Sequence, residues 1–256
     1  MSTSSVGQQW AEKFETVGMA YRLTEGLPFL RKFLRSPFIQ IPVQYARLKT
    51  GQRVLEAGCA GGKFSVCFAM LGAQVTSLDF SAAMIDNTCY LRQVVEQATS
   101  PLTMDFVQGD LESLGLRANS FDLVMNEGVV EHWLDHAERR RILQNMAHVT
   151  KPGGTIAIII PNGSHPLATY WIENSPAFLS APPMVRYSPA LLRDDLSSVG
   201  LTDIFVDGIY VWHTIDQWPT GKLLRLIGSG LQHLIPLPRA IRLKWGIHLI
   251  AIGRKP

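Results

Sequence analysis

Three acidic residues follow or end short apolar segments of the sequence and could accept hydrogen bonds from a polar ligand. Glu56 ends the first of these segments, Asp79 follows the second, and Asp110 follows the third. A carboxylate at such a position can accept both hydroxyls of a ribose, and another can accept from the amino group of a base. For Asp110 a second interpretation stays open, because an aspartate there also suits the N-cap of a turn or helix.

A cluster of small residues, Glu56-Ala57-Gly58-Cys59-Ala60-Gly61-Gly62, follows the first apolar segment. Such a run lets the backbone approach a ligand, and the helix after it points N–H groups toward that ligand. The spacing differs from the GxGxxG dinucleotide fingerprint, because the sixth residue from Gly58 is Lys63. Glu56 would also repel a pyrophosphate, whereas it would tolerate the ammonium group of an amino-acid cofactor. A tight strand–helix turn without a ligand is the alternative interpretation.

The elements that position these residues begin after Thr50-Gly51, where the sequence starts to alternate between strand and helix patterns. Seven strands are predicted, over residues 53–56, 74–78, 103–108, 121–125, 155–160, 203–213 and 247–252. Helices are predicted over 63–71, after a cap at Ser81, before a stop at Lys151-Pro152-Gly153-Gly154, and over 188–199. The alternation predicts a Rossmann-like, doubly wound α/β sheet whose ligands bind beyond the carboxyl ends of its strands.

Length and composition fit one α/β domain. The chain has 256 residues, of which 46% are hydrophobic and 18% are charged. The three cysteines match neither a paired disulfide framework nor a CxxC metal site, so we expect a cytoplasmic protein without a metal. The first residues lack a signal-peptide pattern, and the longest apolar run, 156–160, is too short to cross a bilayer.

Five segments, in order, resemble the motifs of class I S-adenosylmethionine-dependent methyltransferases. They read VLEAGCAGGKFS, VTSLDFSAAMI, FVQGDLESL, FDLVMNEGVVEHWLD and TKPGGTIAIIIPN. The resemblance covers about residues 51–200 and is greatest to small-molecule methyltransferases of the ubiquinone-biosynthesis type. It implies a seven-stranded, mostly parallel sheet with an antiparallel last strand, and 51–256 as the methyltransferase domain. Residues 1–50 would form an N-terminal helical cap, with Trp10, Phe14 and Tyr21 as candidates for the wall over the cofactor.

The resemblance also implies a binding site for S-adenosylmethionine. The family has a glycine where this chain has Ala60, which would narrow the loop beside the cofactor. Glu56, Gly58, Ala60 and Gly62 would lie beside its methionine half, which the backbone of Asn126 would also contact. Asp79 would hold the ribose, while Phe80 and Met84 would pack on the adenine. Asp110 would accept from the adenine amino group, and the backbone of Leu111 would complete that edge.

Histidines lie near the predicted carboxyl ends of strands four, five and six, at His132, His165 and His213. Methyl transfer to an oxygen or carbon acceptor requires removal of a proton, and a side chain with a pKa near ~6.5 suits that task. His132 follows Glu131 in a segment that resembles the acceptor-facing turn of the family, although it could equally begin the next helix. We predict His132, Glu131 and His213 as the catalytic candidates, with Glu127 as a further partner.

Two long connections, about 163–187 and 214–245, are predicted to form the substrate rim. The second lies in a basic region, because residues 217–256 contain seven basic and no acidic residues, whereas the first 216 contain 17 and 21. Residues 217–245 could form a lid packed on their own domain or an amphipathic segment on an anionic membrane surface. Either structure suits a hydrophobic acceptor, such as a quinone-like or lipid-like natural product.

Other function classes fit the sequence less well. A nucleic-acid methyltransferase would suit the basic C-terminal region, but Asn126-Glu127-Gly128-Val129 differs from the [ND]PP[YF] signature of base amino-group methylation. A non-enzymatic binding or assembly module would be expected to lose Glu56, Asp79 and Asp110. An NAD-dependent oxidoreductase is disfavoured by the glycine spacing. The sequence therefore predicts methylation of a hydroxyl, amine or carbon of a small molecule, and it leaves the acceptor and the oligomeric state open.

Overall fold

Seven strands form one sheet at the centre of the computed structural model, which describes residues 6–17, 26–174, 182–211 and 237–256. The strands are β1 (Arg53–Ala57), β2 (Gln74–Asp79), β3 (Met104–Gln108), β4 (Phe121–Glu127), β5 (Thr150–Pro161), β6 (Thr202–Ile209) and β7 (His248–Arg254). Their order is β3-β2-β1-β4-β5-β7-β6, and β7 is antiparallel to both of its neighbours. The predicted mostly parallel, seven-stranded sheet with an antiparallel last strand is confirmed.

Helices connect the strands and precede the first of them. The α-helices of the described residues are α1 (Val6–Val17), α2 (Leu27–Phe33), α3 (Pro37–Ala46), α4 (Lys63–Met70), α5 (Ala82–Glu96), α6 (His136–Val149), α7 (Ala168–Asn174), α8 (Pro189–Ser198) and α9 (Arg239–Trp245). Short 3-10 turns cover Leu111–Ser113 and Val130–His132. The helical pattern of the first 50 residues thus corresponds to three separate helices within the described part of that region.

The strand register brings the predicted site residues to one edge of the sheet. Glu56 of β1 pairs with Ser77 of β2 and with Met125 of β4, and Asp79 of β2 pairs with Gln108 of β3. The carboxyl ends of four parallel strands are therefore neighbours. The antiparallel strand β7 begins at the same edge, because His248 pairs with Pro161 at the end of β5.

Two hydrophobic clusters pack on opposite faces of the sheet. Consecutive residues of one strand belong to different clusters, as Leu123 and Val124 of β4 do. Helices α6 and α8 cover the first cluster, whereas α2, α4 and α5 cover the second. This alternation is the expected pattern for a sheet buried on both faces, and it fixes the strand ends in place.

Three local expectations differ from the structure. Ser81 occupies the N-cap of α5, but its hydroxyl makes no cap hydrogen bond within that fully described helix. The residues Lys151-Pro152-Gly153-Gly154 follow the end of α6 as expected, yet they belong to β5, in which Gly153 and Gly154 exchange backbone hydrogen bonds with Lys255, the residue after β7. Strand β6 ends at Ile209 and not at 213, since Tyr210 takes a left-handed backbone conformation with φ of 60°.

Helix α9 lies across β6 and is bound to it by two arginines. Arg242 Nε donates to the two carboxylate oxygens of Asp207 at 3.1 and 3.0 Å. Arg239 Nη2 donates to the Val206 carbonyl at 2.7 Å. A Cβ at Gly208 would collide with the Arg242 carbonyl, so glycine permits this close crossing. Two of the three basic residues of α9 therefore contact their own domain, whereas the apolar side chains of Ile241 and Trp245 are exposed. Both the lid and the membrane-contact interpretation of residues 217–245 stay predictions.

The rest of the two predicted rim insertions is described in part. Helix α7 and residues 182–188, which belong to no helix or strand, lie in the first insertion. Residues 175–181 and 212–236 lie outside the described residues, and with them most of the predicted membrane-contact segment. In the described ranges, which omit those two stretches, no helix is long and apolar enough to cross a membrane.

Candidate functional site

A cavity of about 370 Å³ opens at the carboxyl edge of the sheet, between the strand ends and α1. Its walls come from α1, from the loops after β1, β2, β3, β4 and β5, and from the start of β7. The lining residues are Val6, Gly7, Trp10, Gly58, Ala60, Leu78, Asp79, Phe80, Gly109, Asp110, Leu111, Glu127, Gly128, Val129, Glu131, His132, Trp133, Pro161, Met184 and His248.

The loop after β1 needs glycine at two positions. Gly58 and Gly62 have φ of 87° and 78°, a left-handed conformation that favours glycine. A Cβ at Gly58 would lie 2.6 Å from Val129 Cγ2, and one at Gly62 would lie 2.5 Å from Thr88 Cγ2. The absence of these side chains lets the loop pack against α5 and the segment after β4. The turn therefore presents backbone, and not side chains, to the cavity.

Ala60 is strained in this loop. Its φ is 43°, so its backbone lies in the left-handed region, which costs a residue with a Cβ about 1 kcal/mol. The Ala60 N–H donates to Asp79 Oδ2 at 2.9 Å, and its carbonyl accepts from Thr88 Oγ1 at 3.1 Å. These two bonds hold the strained residue in place at the cavity wall.

We predict that Ala60→Gly raises the free energy of unfolding by about 0.5–1 kcal/mol, because glycine has no Cβ and adopts the left-handed conformation without steric strain. Urea denaturation of the ligand-free protein measures this difference. Ala57→Gly is the matched control, since Ala57 lies in the extended β1 and should lose stability on the same change. Equal destabilisation by both substitutions would contradict a strained Ala60.

Asp79 joins two loops at the cavity wall. Its Oδ2 accepts from Ala60 N and its Oδ1 accepts from Ser81 N, both at 2.9 Å. Burial raises the pKa of this carboxyl, and the hydrogen bonds from the backbone oppose that shift. Each oxygen keeps acceptor capacity beyond its one backbone bond, so a ligand with neighbouring hydroxyls can be bound at this wall.

Glu56 lies beneath the glycine loop and is not among the residues that line the cavity. One of its carboxylate oxygens, Oε2, accepts from Ser65 N at 2.8 Å and from the Ser65 hydroxyl, which in turn accepts from Ser77 Oγ at 2.7 Å. Burial raises the pKa of Glu56 to about 8, against the lowering effect of the Ser65 bonds. Glu56 thus joins the first turn of α4 to β1 and β2.

The loops after β2 and β3 form the opposite side of the cavity. Asp110 Oδ1 accepts from Glu112 N at 2.8 Å, so Asp110 caps the 3-10 turn and lines the cavity at once. Leu111 also lines it, while its carbonyl accepts from Asn145 Nδ2 at 2.8 Å. Phe80 lies against α1, where a Cβ at Gly7 would be 2.7 Å from its ring. The two open interpretations of Asp110 are therefore compatible with each other.

Two predicted site residues are buried behind the cavity wall. Met84 is fully buried, and its sulfur lies 3.9 Å from Asn87 Nδ2. Asn126 is fully buried as well, where its Nδ2 donates to the Ala57 carbonyl at 2.6 Å and its Oδ1 accepts from Val130 N at 3.2 Å. Asn126 thus joins the end of β1 to the turn after β4.

The turn after β4 brings two acids and a histidine to the cavity. Glu131 is 2% exposed, and its Oε2 is buried without a hydrogen-bond partner in the described part of the chain. Burial raises the pKa of Glu131 to about 8, and the charge of nearby Glu127 adds to that shift. His132 Nδ1 lies 3.1 Å from the Pro183 carbonyl, and its ring meets the Trp10 ring edge-on at 5.0 Å between centroids.

The stability of the ligand-free protein should depend on pH through Glu131. A carboxyl whose pKa is raised on folding contributes stability that is complete below about pH 4.5 and is lost as the pH rises through about 8. We therefore expect the free energy of unfolding of the wild type to fall by at least about 1 kcal/mol relative to Glu131→Gln between pH 5 and pH 8.5. Urea denaturation at both pH values measures this difference in the free energy of unfolding. The contribution of Glu56 to the pH dependence cancels in the comparison, because both proteins contain Glu56. Parallel pH profiles would contradict the prediction.

A buried ionic network holds the backbone of the turn after β4. Asp195 Oδ2 accepts from Tyr187 Oη at 2.6 Å and from Arg139 Nε at 3.2 Å. Arg139 Nη1 also donates to the carbonyls of Trp133 and Leu134, at 3.0 and 2.7 Å. All three charged or phenolic side chains of this network are at least 94% buried. The network therefore fixes the backbone directly after Glu131 and His132.

Several lining residues were not predicted from the sequence. Trp133, Met184, Pro161 and His248 come from the turn after β4, the first rim insertion, the end of β5 and the start of β7. Trp133 Nε1 donates to Glu112 Oε1 at 3.0 Å, which joins the β4 turn to the loop after β3. Pro161 and His248 lie at strand ends and Trp133 lies in the turn after β4, whereas Met184 lies far along the first rim insertion, so no single sequence pattern indicates all four.

The other predicted residues lie away from the cavity or outside the description. His165 is buried in the turn after β5, where its Nδ1 accepts from Leu167 N at 3.0 Å and burial lowers its pKa. His213 and Tyr21 lie outside the described residues, and nothing of the Phe14 side chain is described. Trp10 does line the cavity, as predicted for the wall formed by the first helix.

Comparisons with known proteins agree on one family. A family model described as a methyltransferase domain matches residues 55–158. An uncharacterized methyltransferase of Synechocystis sp. is 30% identical over 156 residues, which are 61% of this chain and 68% of that protein. The demethylmenaquinone methyltransferase of Paenarthrobacter aurescens is 30% identical over 181 residues, 70% of this chain and 61% of that protein.

A solved structure has the same fold over nearly the whole chain. The phosphoethanolamine N-methyltransferase 2 of Haemonchus contortus, with phosphomonomethylethanolamine and S-adenosylhomocysteine bound, superposes with a TM-score of 0.65 at 18% identity. The alignment covers 99% of this chain and 61% of that one. The described residues of this chain bring together no group of three or more His, Cys, Asp or Glu side chains suited to a metal ion.

Proposed function

Because the chain belongs to the S-adenosylmethionine-dependent methyltransferases, we propose that it methylates a hydroxyl, amine or carbon of a small, hydrophobic molecule. The proposal rests on one observation above all. Asp79 and Asp110 line one part of a cavity whose other part is lined by Glu131, His132 and Trp133. A cofactor at the first part and an acceptor at the second would be adjacent, which is the arrangement that methyl transfer requires.

The residues of the first part fit the cofactor. Gly58 and Gly62 have no Cβ to collide with Val129 and Thr88, so the loop packs closely on the domain and presents Gly58 and Ala60 to the cavity. We propose that Asp79 accepts from the ribose hydroxyls and that Asp110 accepts from the adenine amino group. Phe80 would pack against the adenine. Glu56, Met84 and Asn126 would act through the loop and turn that they hold in place.

The residues of the second part fit a hydrophobic acceptor. Trp10, Val129, Trp133 and Met184 supply apolar walls near the turn after β4. Such walls bind a carbon skeleton by removing its surface from water. Helix α1 supplies Val6, Gly7 and Trp10 to the wall of this cavity, which supports the proposed division of the chain into a cap of residues 1–50 and a methyltransferase domain of residues 51–256.

The cofactor supplies an activated methyl group on its sulfonium, so the protein has to orient the acceptor and accept its proton. The contact of His132 Nδ1 with the Pro183 carbonyl makes Nδ1 the donor, so Nε2 is the nitrogen that can take up a proton. Glu131 is the neighbouring carboxylate in the same cavity. We propose that one of these two groups removes the proton of the acceptor, a contribution of about 10²-fold or more to the rate.

The test is acceptor-dependent turnover. The protein is incubated with methyl-deuterated S-adenosylmethionine and a panel of quinol, phenol, fatty-acid and amine acceptors beside small polar ones. Labelled product and S-adenosylhomocysteine are quantified by mass spectrometry. We expect labelled product from a hydrophobic acceptor and a loss of about 10²-fold in Glu131→Gln or His132→Gln. The control Glu138→Gln alters an exposed acid of α6 and should keep full activity. Equal turnover of small polar acceptors would contradict the proposed acceptor class.

A further inference from the structure

The cavity is lined by acids and by no lysine or arginine within the described residues. The four acids are Asp79, Asp110, Glu127 and Glu131. Asp79 accepts from two backbone N–H groups, and Asp110 caps a turn. Lys63 acts on Glu127 with an attractive charge. The fourth acid, Glu131, therefore differs from the others in its surroundings.

One carboxyl oxygen of Glu131 has no hydrogen-bond partner among the described residues. The Glu131 side chain is 2% exposed, and its own backbone N–H gives the carboxyl group a hydrogen bond, but Oε2 has no hydrogen-bond partner in the described ranges. The nearby charge of Glu127 is of the same sign. A buried carboxylate is costly unless it is paired with a cation or a hydrogen-bond donor. A group of that kind is what a ligand in this cavity could supply.

We propose that Glu131 binds the ammonium group of the methyl acceptor, so that the acceptor is a hydrophobic primary or secondary amine. This inference rests on the proposed function and narrows it from three classes of acceptor atom to nitrogen. An ammonium group supplies both the positive charge and the N–H donors that Glu131 Oε2 lacks.

The surroundings of Glu131 suit an organic cation. Trp10, Trp133 and Met184 line the same cavity, and their apolar surfaces match a carbon skeleton attached to the charged nitrogen. The faces of tryptophan rings also attract cations. An acceptor with a carboxylate or phosphate near the reacting atom would meet Glu127 and Glu131 with like charge, so anionic groups beside the nitrogen are disfavoured.

The proposed transfer balances without another reactant. The ammonium nitrogen gives one proton to the Glu131 carboxylate and keeps the electron pair of that N–H bond. This pair forms the bond to the methyl carbon as the carbon–sulfur bond breaks and its electrons stay on sulfur. The products are the N-methylammonium, the neutral thioether and a protonated Glu131, which releases its proton to water when the product leaves.

The experiment measures binding in the absence of turnover. Wild-type protein, Glu131→Gln and the control Glu138→Gln are each saturated with S-adenosylhomocysteine, whose binding is recorded first by calorimetry. Each is then titrated at pH 7.5 with 2-phenylethylamine and 2-phenylethanol, and with hexylamine and hexan-1-ol. The two members of each pair share a carbon skeleton and differ in charge. A parallel titration with Mg²⁺ tests a metal ion in place of the amine.

We expect at least one amine to bind the wild type and Glu138→Gln at least ~10-fold more tightly than its alcohol, and this preference to disappear in Glu131→Gln. The inference is overturned if the alcohols bind as tightly as the amines, if no amine binds, if the preference survives in Glu131→Gln, or if Mg²⁺ displaces the amine. Failure of S-adenosylhomocysteine to bind in the first titration would instead reject the proposed function.

Discussion

Replacing Asp79 by alanine should weaken the binding of S-adenosylmethionine and S-adenosylhomocysteine at least ~10-fold. A hydrogen bond to a charged group contributes roughly 1.5–3 kcal/mol, and the carboxylate can accept more than one from a ribose. The substitution also removes the acceptor of Ala60 N and Ser81 N, so both loops lose the bond that aligns them with the cavity. Calorimetric titration of both compounds into the purified variant measures the effect.

The control for this variant is Asp86→Ala, which removes an exposed acid from α5 and should leave both affinities unchanged. Thermal unfolding of all three proteins separates a loss of affinity from a loss of folded protein. An Asp79→Ala variant that remains folded and binds both compounds as tightly as the wild type would contradict the assignment of Asp79 to the ribose.

Replacing Asp195 by asparagine should lower the free energy of unfolding by about 3 kcal/mol. The change removes the charge opposite Arg139, which is 5% exposed, and a buried cation left without its partner is strongly destabilising. The amide oxygen of asparagine is also a weaker acceptor than the carboxylate for the hydrogen bond that Tyr187 Oη donates. Urea denaturation followed by circular dichroism gives the difference in stability.

The neighbouring substitution Asp194→Asn is the control, because Asp194 is exposed on the same helix. It should change the stability by less than about 0.5 kcal/mol. Since Arg139 binds the carbonyls of Trp133 and Leu134, Asp195→Asn should also slow turnover more than it weakens cofactor binding. Equal stability of the two variants would show that the buried pair contributes nothing net.

The strand pattern was enough to predict the sheet and one side of the cavity. Glu56, Asp79 and Asp110 follow three consecutive strands, and parallel strands bring their carboxyl ends together. The glycine spacing predicted an open loop, which Gly58 and Gly62 provide through left-handed backbone. These features depend on local sequence and on the regular geometry of parallel strands, so they can be derived without a structure.

The other side of the cavity depends on contacts between distant parts of the chain. Met184 and His248 line the same space as Trp10, although they lie far apart in the sequence, and no local pattern indicates this proximity. The ion pair of Arg139 with Asp195 joins α6 to α8, and the residue pattern within either helix does not predict it. Sequence alone also does not predict the surroundings of Glu56. Its acidic side chain at the end of β1 predicted a position beside a ligand, whereas its described hydrogen bonds are with Ser65.

The most direct test of the account is calorimetric titration of S-adenosylmethionine, S-adenosylhomocysteine and NADH into the folded wild-type protein. The account predicts that both sulfur compounds bind at one site per chain, that each displaces the other, and that NADH does not bind. A folded protein that binds neither sulfur compound would contradict the proposed cofactor site, whatever the acceptor.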